Sequence, residues 1–435
     1  HRSYWCNARR PKNWKMIKVI NCKKKNYKRG LVSFLDKRRS GKAVDTSIVP
    51  KILKDIKING RKALLKYEKK FSKNTEIVPS KDKVNKAINT LEPKIKKSID
   101  LAYNRIFKFH SLQKPKNIKY VDNFKNKLEY KHVPLQSVGI YVPANLPSTL
   151  LMNAVPAKIS GVKRIVLANP KLNGKLNPAV LYAARKVGIN EIYSMGGAQA
   201  IASLAYIQKV NKIVGPGNIY VARSKREVFG DVGTEGMVAG PSEICVLADG
   251  KTDLNQVITS MIGQAEHDVN SQCILITKDK KLANKFNIEI KKYIKKVQRK
   301  RVVLKSLKNN GLIVLAQSDK QIIEAINEVA PEHLEINVSN YKKYLNQIHN
   351  AGSIMIGKYS PMAVSDYNVG SNHVLPTLGS AKFSSGLNLS EFYKKISHIT
   401  LTKKGIEKLG ESATHLAEYE ELDNHAQSIK SRMRR

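Results

Sequence analysis

The chain has 435 residues, of which 42% are apolar, and its formal net charge is +44. This length allows two or three domains with large cores, and no stretch is as long and apolar as a membrane-spanning helix, so a helical membrane protein is excluded and a cytoplasmic protein is expected. The lysines are scattered without aromatic stacking residues, so we predict a solvated basic surface and no nucleic-acid partner.

Neither the first fifteen residues nor the four cysteines provide a signal for a particular fold. Residues 1–15 have neither helical nor strand periodicity, and we predict a non-native or disordered tail there, with Met16 as the candidate native start and residues 16–30 as an N-terminal extension. The four cysteines are widely spaced and form no CxxC pair, so the sequence predicts neither a disulfide framework nor a thiolate zinc site.

Further along, the pattern changes from helical to alternating. Residues 51–107 have apolar residues at helical spacing, with breaks at Gly60 and Pro79. From Val133, short β-branched runs alternate with amphipathic stretches of helix length, which is typical of a parallel sheet built from βαβ units. The predicted strands are 138–142, 164–168, 191–195 and 212–214, and the predicted helices are 150–158, 178–187, 198–207 and 219–229.

A second alternating series begins at Glu243. Its predicted strands are 244–247, 272–277 and 312–315, and its predicted helices begin at Leu254, Lys281 and Lys320. The alternation ends after His373, and residues 406–430 are predicted to form a terminal helical arm. We therefore predict an α/β protein with two adjoining Rossmann-like parallel-sheet domains and small helical N- and C-terminal extensions. The predicted division is residues 31–137 with 243–380, residues 138–242, and residues 381–435 as the arm.

Three glycine-rich turns follow predicted strands, at 196–199, 215–218 and 240–243. Such turns place backbone N–H groups where a phosphate-bearing cofactor can bind. Tyr220 occupies the third glycine position after Gly215 and Gly217, so the standard GxGxxG dinucleotide motif is absent. Each turn, taken alone, is more often structural.

Two polar pairs are candidates for chemistry. Gln264 and His267 are three residues apart on a predicted helix and off its apolar stripe, where they are positioned to converge on one ligand. Glu332 and His333 adjoin at the start of a predicted strand and together supply two acid/base groups. The alternatives are a structural helix histidine and an ordinary strand end.

Two further polar segments, 366–373 and 420–425, complete the set. Without cysteine ligands, a zinc ion here would need nitrogen and oxygen ligands. Residues that can supply them are Gln264, His267, Asp366 and His425. Their spacing in the sequence leaves open whether they converge.

Together these segments resemble the histidinol dehydrogenase family from about Met16 to the C-terminus, and the combination is far more specific than any single motif. The matching motifs are YVP at 141–143, LMNAVPAK at 151–158, GGAQAIA at 196–202, KIVGPGNIYVA at 212–222, VFGDVG at 228–233, AGPSEI at 239–244, GQAEH at 263–267, APEHLEI at 330–336, GSNHVLPT at 370–377 and EELDNH at 420–425.

The resemblance implies one zinc ion per subunit, NAD as cofactor, and L-histidinol as the substrate that is oxidised through L-histidinaldehyde to L-histidine in the last steps of histidine biosynthesis. The implied zinc ligands are Gln264, His267, Asp366 and His425. The implied acid/base pair is Glu332 and His333. The implied substrate contacts are Ser242, His333, His373 and Glu420 together with the zinc ligands. The implied NAD contacts are Tyr141, Gln199 and Asn218.

The resemblance also implies a homodimer in which the C-terminal arm reaches the neighbouring active site, so that Glu420 and His425 act in trans. Two stretches are shorter than in the family, one after Pro143 and one between Tyr206 and Lys212. Both lie near the implied NAD cleft, so we expect NAD binding to be retained with altered affinity.

Three competing interpretations remain. An aldehyde dehydrogenase with a thiol nucleophile would use Cys245 or Cys273, but both lie in apolar strand-like runs and we interpret them as buried core. A related zinc- and NAD-dependent dehydrogenase of another small amino alcohol or polyol differs only in its pocket, since one pocket change can redirect the substrate. A basic nucleic-acid-binding protein is suggested by charge alone.

Overall fold

The computed structural model describes residues 17–39, 45–236 and 240–433. The tail predicted at residues 1–15 and the candidate start at Met16 lie outside these described residues. Within them, no helix combines the length and the apolar composition needed to cross a membrane.

The described residues contain strands that belong to three sheets. In chain order they are β1 (Lys18–Asn21), β2 (Ile118–Val121), β3 (Lys127–Pro134), β4 (Ser137–Tyr141), β5 (Arg164–Ala168), β6 (Glu191–Tyr193), β7 (Lys212–Val214), β8 (Gly233–Thr234), β9 (Glu243–Ala248), β10 (Gln272–Thr277), β11 (Gly311–Leu315), β12 (His333–Asn337), β13 (Ser353–Ile356) and β14 (Tyr393–Thr400).

Helices precede, separate and follow these strands. In chain order they are α1 (Tyr27–Arg39), α2 (Ile48–Ser72), α3 (Lys81–Asn89), α4 (Pro93–Ser111), α5 (Pro147–Ile159), α6 (Pro178–Val187), α7 (Gly197–Ala202), α8 (Ile219–Val228), α9 (Leu254–Ala265), α10 (Lys280–Ile294), α11 (Lys300–Asn310), α12 (Asp319–Val329), α13 (Lys342–Leu345), α14 (Met362–Ser365), α15 (Lys403–Tyr419) and α16 (Asp423–Met433). A π-helical turn, Ser203–Ile207, continues α7, and short 3-10 helices lie at Ser380–Lys382 and Leu389–Phe392.

The first sheet has six parallel strands in the order β1-β11-β10-β9-β12-β13. Its central strands are apolar runs that are buried throughout, as in Gln272–Thr277, because helices cover both faces. Helices α9, α10 and α11 pack on one face, and α1 and α12 pack on the other. The segment expected to be an N-terminal extension contributes the edge strand β1.

The second sheet has five parallel strands in the order β6-β5-β4-β7-β8. Helices α4, α5 and α6 cover one face, and α2, α7 and α8 cover the other. The chain runs from β4 to β5 and β6 on one side, then returns to β7 and β8 on the other. The strand order therefore reverses between β4 and β7, and ligands of open α/β sheets bind outside the carboxyl ends of strands at such a reversal.

Helices α2 and α4 pack on the second sheet, whereas the division drawn from the sequence grouped residues 31–137 with the first sheet. In α2, for example, Val49 and Ile56 share a core with Met195 of the second sheet's unit. An amphipathic pattern predicts that one face of a helix is buried, but it does not say which sheet covers that face.

A third sheet, not predicted, pairs β3 with β2 and β14 in antiparallel fashion. All residues of β2 and most of β14 are exposed in this chain, so the apolar alternation that marks a half-buried strand is missing from their sequences. Beyond β14, α15 and α16 pack on each other and form the predicted C-terminal arm. The α/β class with two parallel sheets is confirmed.

Candidate active site

The candidate acid/base pair lies at the amino end of the first sheet. Strand β12 begins at His333, directly after Glu332, and pairs in parallel with β9 so that His333 lies opposite Ile244. Glu332 and Glu243 are therefore neighbours at the starts of adjacent strands. The start of β9 thus places a second carboxylate, Glu243, beside the candidate pair, and the sequence did not predict it.

The backbones of these two glutamates hold each other's side chains. The Glu243 N–H donates to Oε2 of Glu332 at 2.7 Å, and the Glu332 N–H donates to Oε2 of Glu243 at 3.3 Å. Nδ1 of His333 lies 3.1 Å from the carbonyl oxygen of Glu243. Because a carbonyl oxygen only accepts, this bond places a proton on Nδ1 and makes Nε2 the nitrogen that is able to accept one.

Asp366 lies on the other side of the His333 ring. It follows α14, which packs on both α9 and β12, and the Met362 N–H of that helix donates to Oε1 of Glu335 at 2.6 Å. Oδ1 of Asp366 is 3.4 Å from Nε2 of His333, and Oε2 of Glu332 is 3.5 Å from Nδ1. The imidazole therefore lies between two carboxylates.

These carboxylates control the charge of the site. Burial lowers the pKa of His333, but Glu332 and Asp366 outweigh burial and raise the pKa of His333 to about 10. Burial raises the pKa of Asp366, but the neighbouring His333 holds that pKa below its usual value. The cluster thus favours positive charge at this place, whether as a proton on His333 or as another cation.

Gln264 lies in the last turn of α9 with its side chain directed into the protein. It is 1% exposed, and neither Oε1 nor Nε2 has a hydrogen-bond partner among the described residues. Leaving a buried polar group unpaired costs about 1–3 kcal/mol, so the arrangement favours a ligand at this amide. Gln264 lies off the apolar stripe as predicted, yet it is buried because neighbouring elements cover this side of the helix too.

His267 lies beyond α9 rather than on it, because the helix ends at Ala265. Its side chain is exposed, and it is close enough to Asp366 to contribute to the lowered pKa of that carboxyl. The turn after the helix therefore brings His267 toward Asp366, with Gln264 one turn before it.

Glu420 and His425 are the two predicted site residues of the C-terminal arm, which α15 and α16 form. Glu420 ends α15, His425 lies in α16, and both are exposed. Within the described ranges, no three His, Cys, Asp or Glu side chains form a group that could hold a metal ion. One chain therefore does not assemble the predicted set of four ligands.

His373 connects the site to the second sheet's unit. Nδ1 donates to the carbonyl oxygen of Asp366 at 2.7 Å, and Nε2 lies 3.4 Å from Oγ1 of Thr149 on α5. The neighbouring Asn372 side chain donates to the Met152 carbonyl of the same helix at 2.6 Å. Burial lowers the pKa of His373, so its ring is neutral at pH 7. The site thus lies where the two units meet.

Ser242, the remaining predicted substrate contact, immediately precedes β9 and is half-buried. Its carbonyl oxygen accepts the Gln272 N–H at 3.0 Å, which continues the strand pairing by one residue. This backbone bond leaves the Ser242 hydroxyl available at the same sheet edge as Glu332.

The predicted NAD contacts lie at the carboxyl edge of the second sheet. Tyr141 ends β4, Gln199 lies in α7 after β6, and Asn218 caps α8 after β7. The Tyr141 hydroxyl accepts the Gly197 N–H at 3.4 Å. This edge includes the reversal between β4 and β7, which is where a ligand of an open α/β sheet binds.

Glu68 of α2 forms hydrogen bonds with the first glycine-rich turn, residues 196–199. Its Oε1 accepts the Gly196 N–H at 2.9 Å and Nε2 of Gln199 at 3.0 Å. The side chain is 1% exposed, and burial raises the pKa of Glu68. Nothing in the sequence marks Glu68, because it is one carboxylate in a lysine-rich amphipathic helix.

The second glycine-rich turn packs tightly against β4. Gly215 has φ +112°, and a Cβ there would collide with the carbonyl oxygen of Tyr141, so only glycine fits. Nζ of Lys225 donates to the Gly215 carbonyl at 2.9 Å and forms a buried ion pair with Glu235. The turn is thus fixed from both sides.

The cysteines of the competing interpretation are buried. Cys245 lies in β9 and Cys273 in β10, both fully buried, and burial raises the pKa of both thiols, that of Cys273 to about 12. A thiol in such surroundings does not supply a thiolate nucleophile. The interpretation of both residues as core is confirmed.

These features define an α/β enzyme with a Glu/His pair at the edge of one parallel sheet and glycine-rich turns at the ligand-binding edge of the other. The family model for histidinol dehydrogenase matches residues 36–433. A histidinol dehydrogenase of Pelagibacter ubique is 56% identical, over 97% of this chain and 100% of its own, and one of Rhodospirillum rubrum is 40% identical, over 92% and 94%.

A solved structure agrees with these sequence matches. The crystal structure of histidinol dehydrogenase from Elizabethkingia anophelis has a TM-score of 0.90 and 34% identity, and the match covers 97% of this chain and 99% of that one. The chain belongs to the histidinol dehydrogenase family, and it is an oxidoreductase. The resemblance drawn from the motifs is confirmed.

Proposed function

We propose that this chain catalyses the zinc-dependent, four-electron oxidation of L-histidinol by NAD, through L-histidinaldehyde to L-histidine, as a cytoplasmic homodimer. The observation that carries the proposal is the Glu332–His333 pair, with Asp366 beside Nε2 of the imidazole and the unpartnered Gln264 amide on the adjoining helix. Membership of the histidinol dehydrogenase family supports the substrate.

The residues present fit a zinc ion. Gln264 has a buried oxygen with no hydrogen-bond partner in the described part of the chain, Asp366 is an ionised carboxylate, and His267 is an exposed imidazole near Asp366. Carboxylate, amide and imidazole donors suit zinc, and the fourth ligand would be His425 from a second copy of the chain. Zinc held there would help to position L-histidinol and would supply positive charge beside Asp366.

The acid/base steps follow from the hydrogen bonds of the pair. The two carboxylates favour a proton on His333, and a cation bound beside Asp366 would take the place of that proton and leave Nε2 able to accept another. Nε2 of His333 then accepts the hydroxyl proton of L-histidinol while the carbinol carbon loses a hydride, which gives the aldehyde. Glu332 then removes a proton from a water molecule that adds to the aldehyde carbon. The resulting hydrate monoanion loses a second hydride and its remaining hydroxyl proton, which gives the carboxylate of L-histidine.

NAD bound at the second sheet would supply the hydride acceptor for both oxidations, so two molecules would be reduced for each L-histidinol. Its site is supported by the reversal between β4 and β7, beside which Tyr141 and Asn218 lie, and by the braced turn that carries Gln199. The same arrangement supports NAD binding despite the shortened stretches after Pro143 and Tyr206.

The substrate contacts are proposed to come from both subunits. Ser242 and His373 lie at the edge formed by Glu332 and His333, whereas Glu420 and His425 lie on the exposed arm. An arm that packs mainly on itself within one chain has its outer face available for a second copy. Glu420 and His425 would then complete the neighbouring site.

The test is the stoichiometry of NADH production. Purified protein with a limiting amount of L-histidinol and excess NAD is expected to yield two NADH per substrate and L-histidine as the product. One NADH per substrate, with aldehyde released, would contradict the four-electron reaction. Faster turnover of another amino alcohol or polyol under the same conditions would assign the protein to a related dehydrogenase activity.

A further inference from the structure

Arg38, near the end of α1, inserts its guanidinium into the core beside the acid/base pair. Its side chain is 6% exposed, Nε donates to the Asn270 carbonyl at 3.0 Å, and Nη2 donates to the Pro241 carbonyl at 2.6 Å. Nη1 forms an ion pair with Oε1 of Glu243. The guanidinium therefore connects the loops before β9 and β10 with the first carboxylate of β9.

Glu243 is held on all sides by donors. Its carboxylate is 2% exposed, and Oε1 also accepts the Leu378 N–H at 2.8 Å while Oε2 accepts the Glu332 N–H. The backbone of Glu243 in turn contacts both members of the pair. Its N–H holds Oε2 of Glu332, and its carbonyl holds Nδ1 of His333.

Stability alone does not account for this ion pair. Removing two charges from water costs several kcal/mol per ion, and well-packed apolar side chains of similar volume often replace a buried pair at no loss. The pair also adds Glu243 to a site that already contains the carboxylates of Glu332 and Asp366, and Arg38 offsets that extra negative charge. What the arrangement supplies is fixed geometry at the start of β9.

We propose that Arg38 and Glu243 are positioning residues for the proposed reaction. Arg38 fixes Glu243, and the backbone of Glu243 fixes the Glu332 carboxylate and keeps Nε2 of His333 as the proton-accepting nitrogen. The Glu243 N–H binds Oε2 of Glu332 and thereby orients the carboxylate that receives the proton of the attacking water. The inference rests on the proposed function of Glu332 and His333.

The first experiment compares R38M with R38K in the full-length protein. R38M keeps the length of the side chain but removes its charge, and its kcat with L-histidinol is expected to fall about 100-fold, the size of effect seen when reacting groups are slightly misplaced. KM for L-histidinol and NAD is expected to change little, since Arg38 touches neither. R38K restores the positive charge but not the several N–H donors of the guanidinium, so it is expected to recover part of the lost kcat.

A matched control separates positioning from general destabilisation. Arg164 also makes a forked pair, with both distances to Glu191 at 2.7 Å, and it donates to the Gln208 carbonyl, but it lies in the second sheet away from the pair. R164M is expected to lower the thermal midpoint and to retain kcat. An R38M kcat equal to that of wild type, or a loss matched by R164M, would overturn the inference.

A second readout does not depend on turnover. In a crystal structure of R38M, the inference expects the Glu332 carboxylate to leave the Glu243 N–H and the His333 ring to rotate from the Glu243 carbonyl. An unchanged Glu332–His333 geometry overturns the inference whatever the activity. Failure of the wild-type protein to oxidise L-histidinol, with the pair displaced in R38M, refutes the proposed function and leaves the positioning network supported.

Discussion

Glu68 and Gln199 are joined by a buried hydrogen bond, in which Nε2 of Gln199 donates to Oε1 of Glu68 at 3.0 Å. The two residues lie 131 positions apart, and the same oxygen accepts the Gly196 N–H at 2.9 Å. A carboxylate from the N-terminal helices thus fixes the glycine-rich turn that we propose for NAD. Its burial makes the folding of this region depend on pH.

The pKa of Glu68 is raised by burial, so the folded protein binds its proton more tightly than the unfolded chain does. The stability contributed by this proton is present below the unfolded pKa of about 4.3 and is lost as pH rises through the folded pKa. In E68Q, the amide oxygen can accept both donors without titrating. The unfolding free energy of wild type minus that of E68Q is therefore expected to fall as pH rises above about 4.3.

Glu76 provides the control, because its pKa is shifted in the opposite direction from that of Glu68. The ion pairs of Glu76 with Lys83 and Lys171 hold the pKa of Glu76 below its usual value. The difference between wild type and E76Q is therefore expected to rise as pH increases toward the unfolded pKa of about 4.3 and to stay level above it. Urea unfolding at several pH values measures both differences, and parallel curves for the two variants would contradict the assignment.

Gly215 and Gly230 have similar φ angles, +112° and +106°, but the room around their α-carbons differs. A Cβ at Gly230 meets no atom within 4 Å, whereas one at Gly215 collides with the Tyr141 carbonyl. G230A is expected to cost only the strain of its backbone, about 1–3 kcal/mol. G215A should cost more than about 4 kcal/mol, which is exceptional for one substitution. Equal denaturation midpoints for the two variants would contradict the close approach of the turn to β4.

Gln264 and Gln199 are both buried, but among the residues that the structure describes only the Gln199 side chain has a hydrogen-bond partner. In metal-free protein, Q264L is expected to be neutral or to stabilise by about 1–2 kcal/mol, because it removes an unpaired amide. The unfolding free energy of Q199L is expected to be about 1–3 kcal/mol lower than that of wild type, because the substitution removes a hydrogen-bond donor to the buried Glu68 carboxylate. Denaturant unfolding in a chelator measures both changes.

The same two variants are expected to differ in their affinity for zinc. Calorimetric titration is expected to show weakened zinc binding for Q264L and unchanged binding for Q199L. Destabilisation of metal-free Q264L, or zinc affinity equal to wild type, would show that this amide is structural and not a ligand.

His267 and His425 are proposed to act on one zinc ion from two subunits. H267A and H425A are each expected to be inactive alone. After the two are unfolded and refolded together in equal amounts, half of the dimers are mixed and each has one intact site, so about a quarter of wild-type activity is expected. Absence of any recovery, with mixed dimers demonstrated by mass spectrometry, would mean that each arm serves its own subunit.

Local pattern was sufficient for the inner strands of the two parallel sheets, because helices and strands there alternate with clear periodicity, but it missed the edge strands β1, β8 and β13. The predicted strand 272–277 and the predicted helix 178–187 coincide with β10 and α6. Strands β2 and β14 lack apolar alternation because they are exposed in this chain, and a continuous helix predicted at 198–207 contains a π-turn that no propensity marks.

The site divides in the same way. Glu332, His333 and Asp366 were found because each belongs to a recognisable motif, and the structure places both carboxylates within 3.5 Å of the His333 ring. Arg38 and Glu68 could not be found, because each acts through a contact to a residue more than a hundred positions away and neither lies in a motif. Long-range ion pairs leave no periodic signal in the chain.

The measurement that tests the central claim most directly is reconstitution with zinc. Protein stripped of metal by a chelator is expected to show no NADH production from L-histidinol, and activity is expected to return in proportion to added zinc until one ion is bound per chain. Full activity in protein shown by elemental analysis to be metal-free would contradict the claim that the unpartnered Gln264 amide and the Asp366 carboxylate belong to a catalytic zinc site.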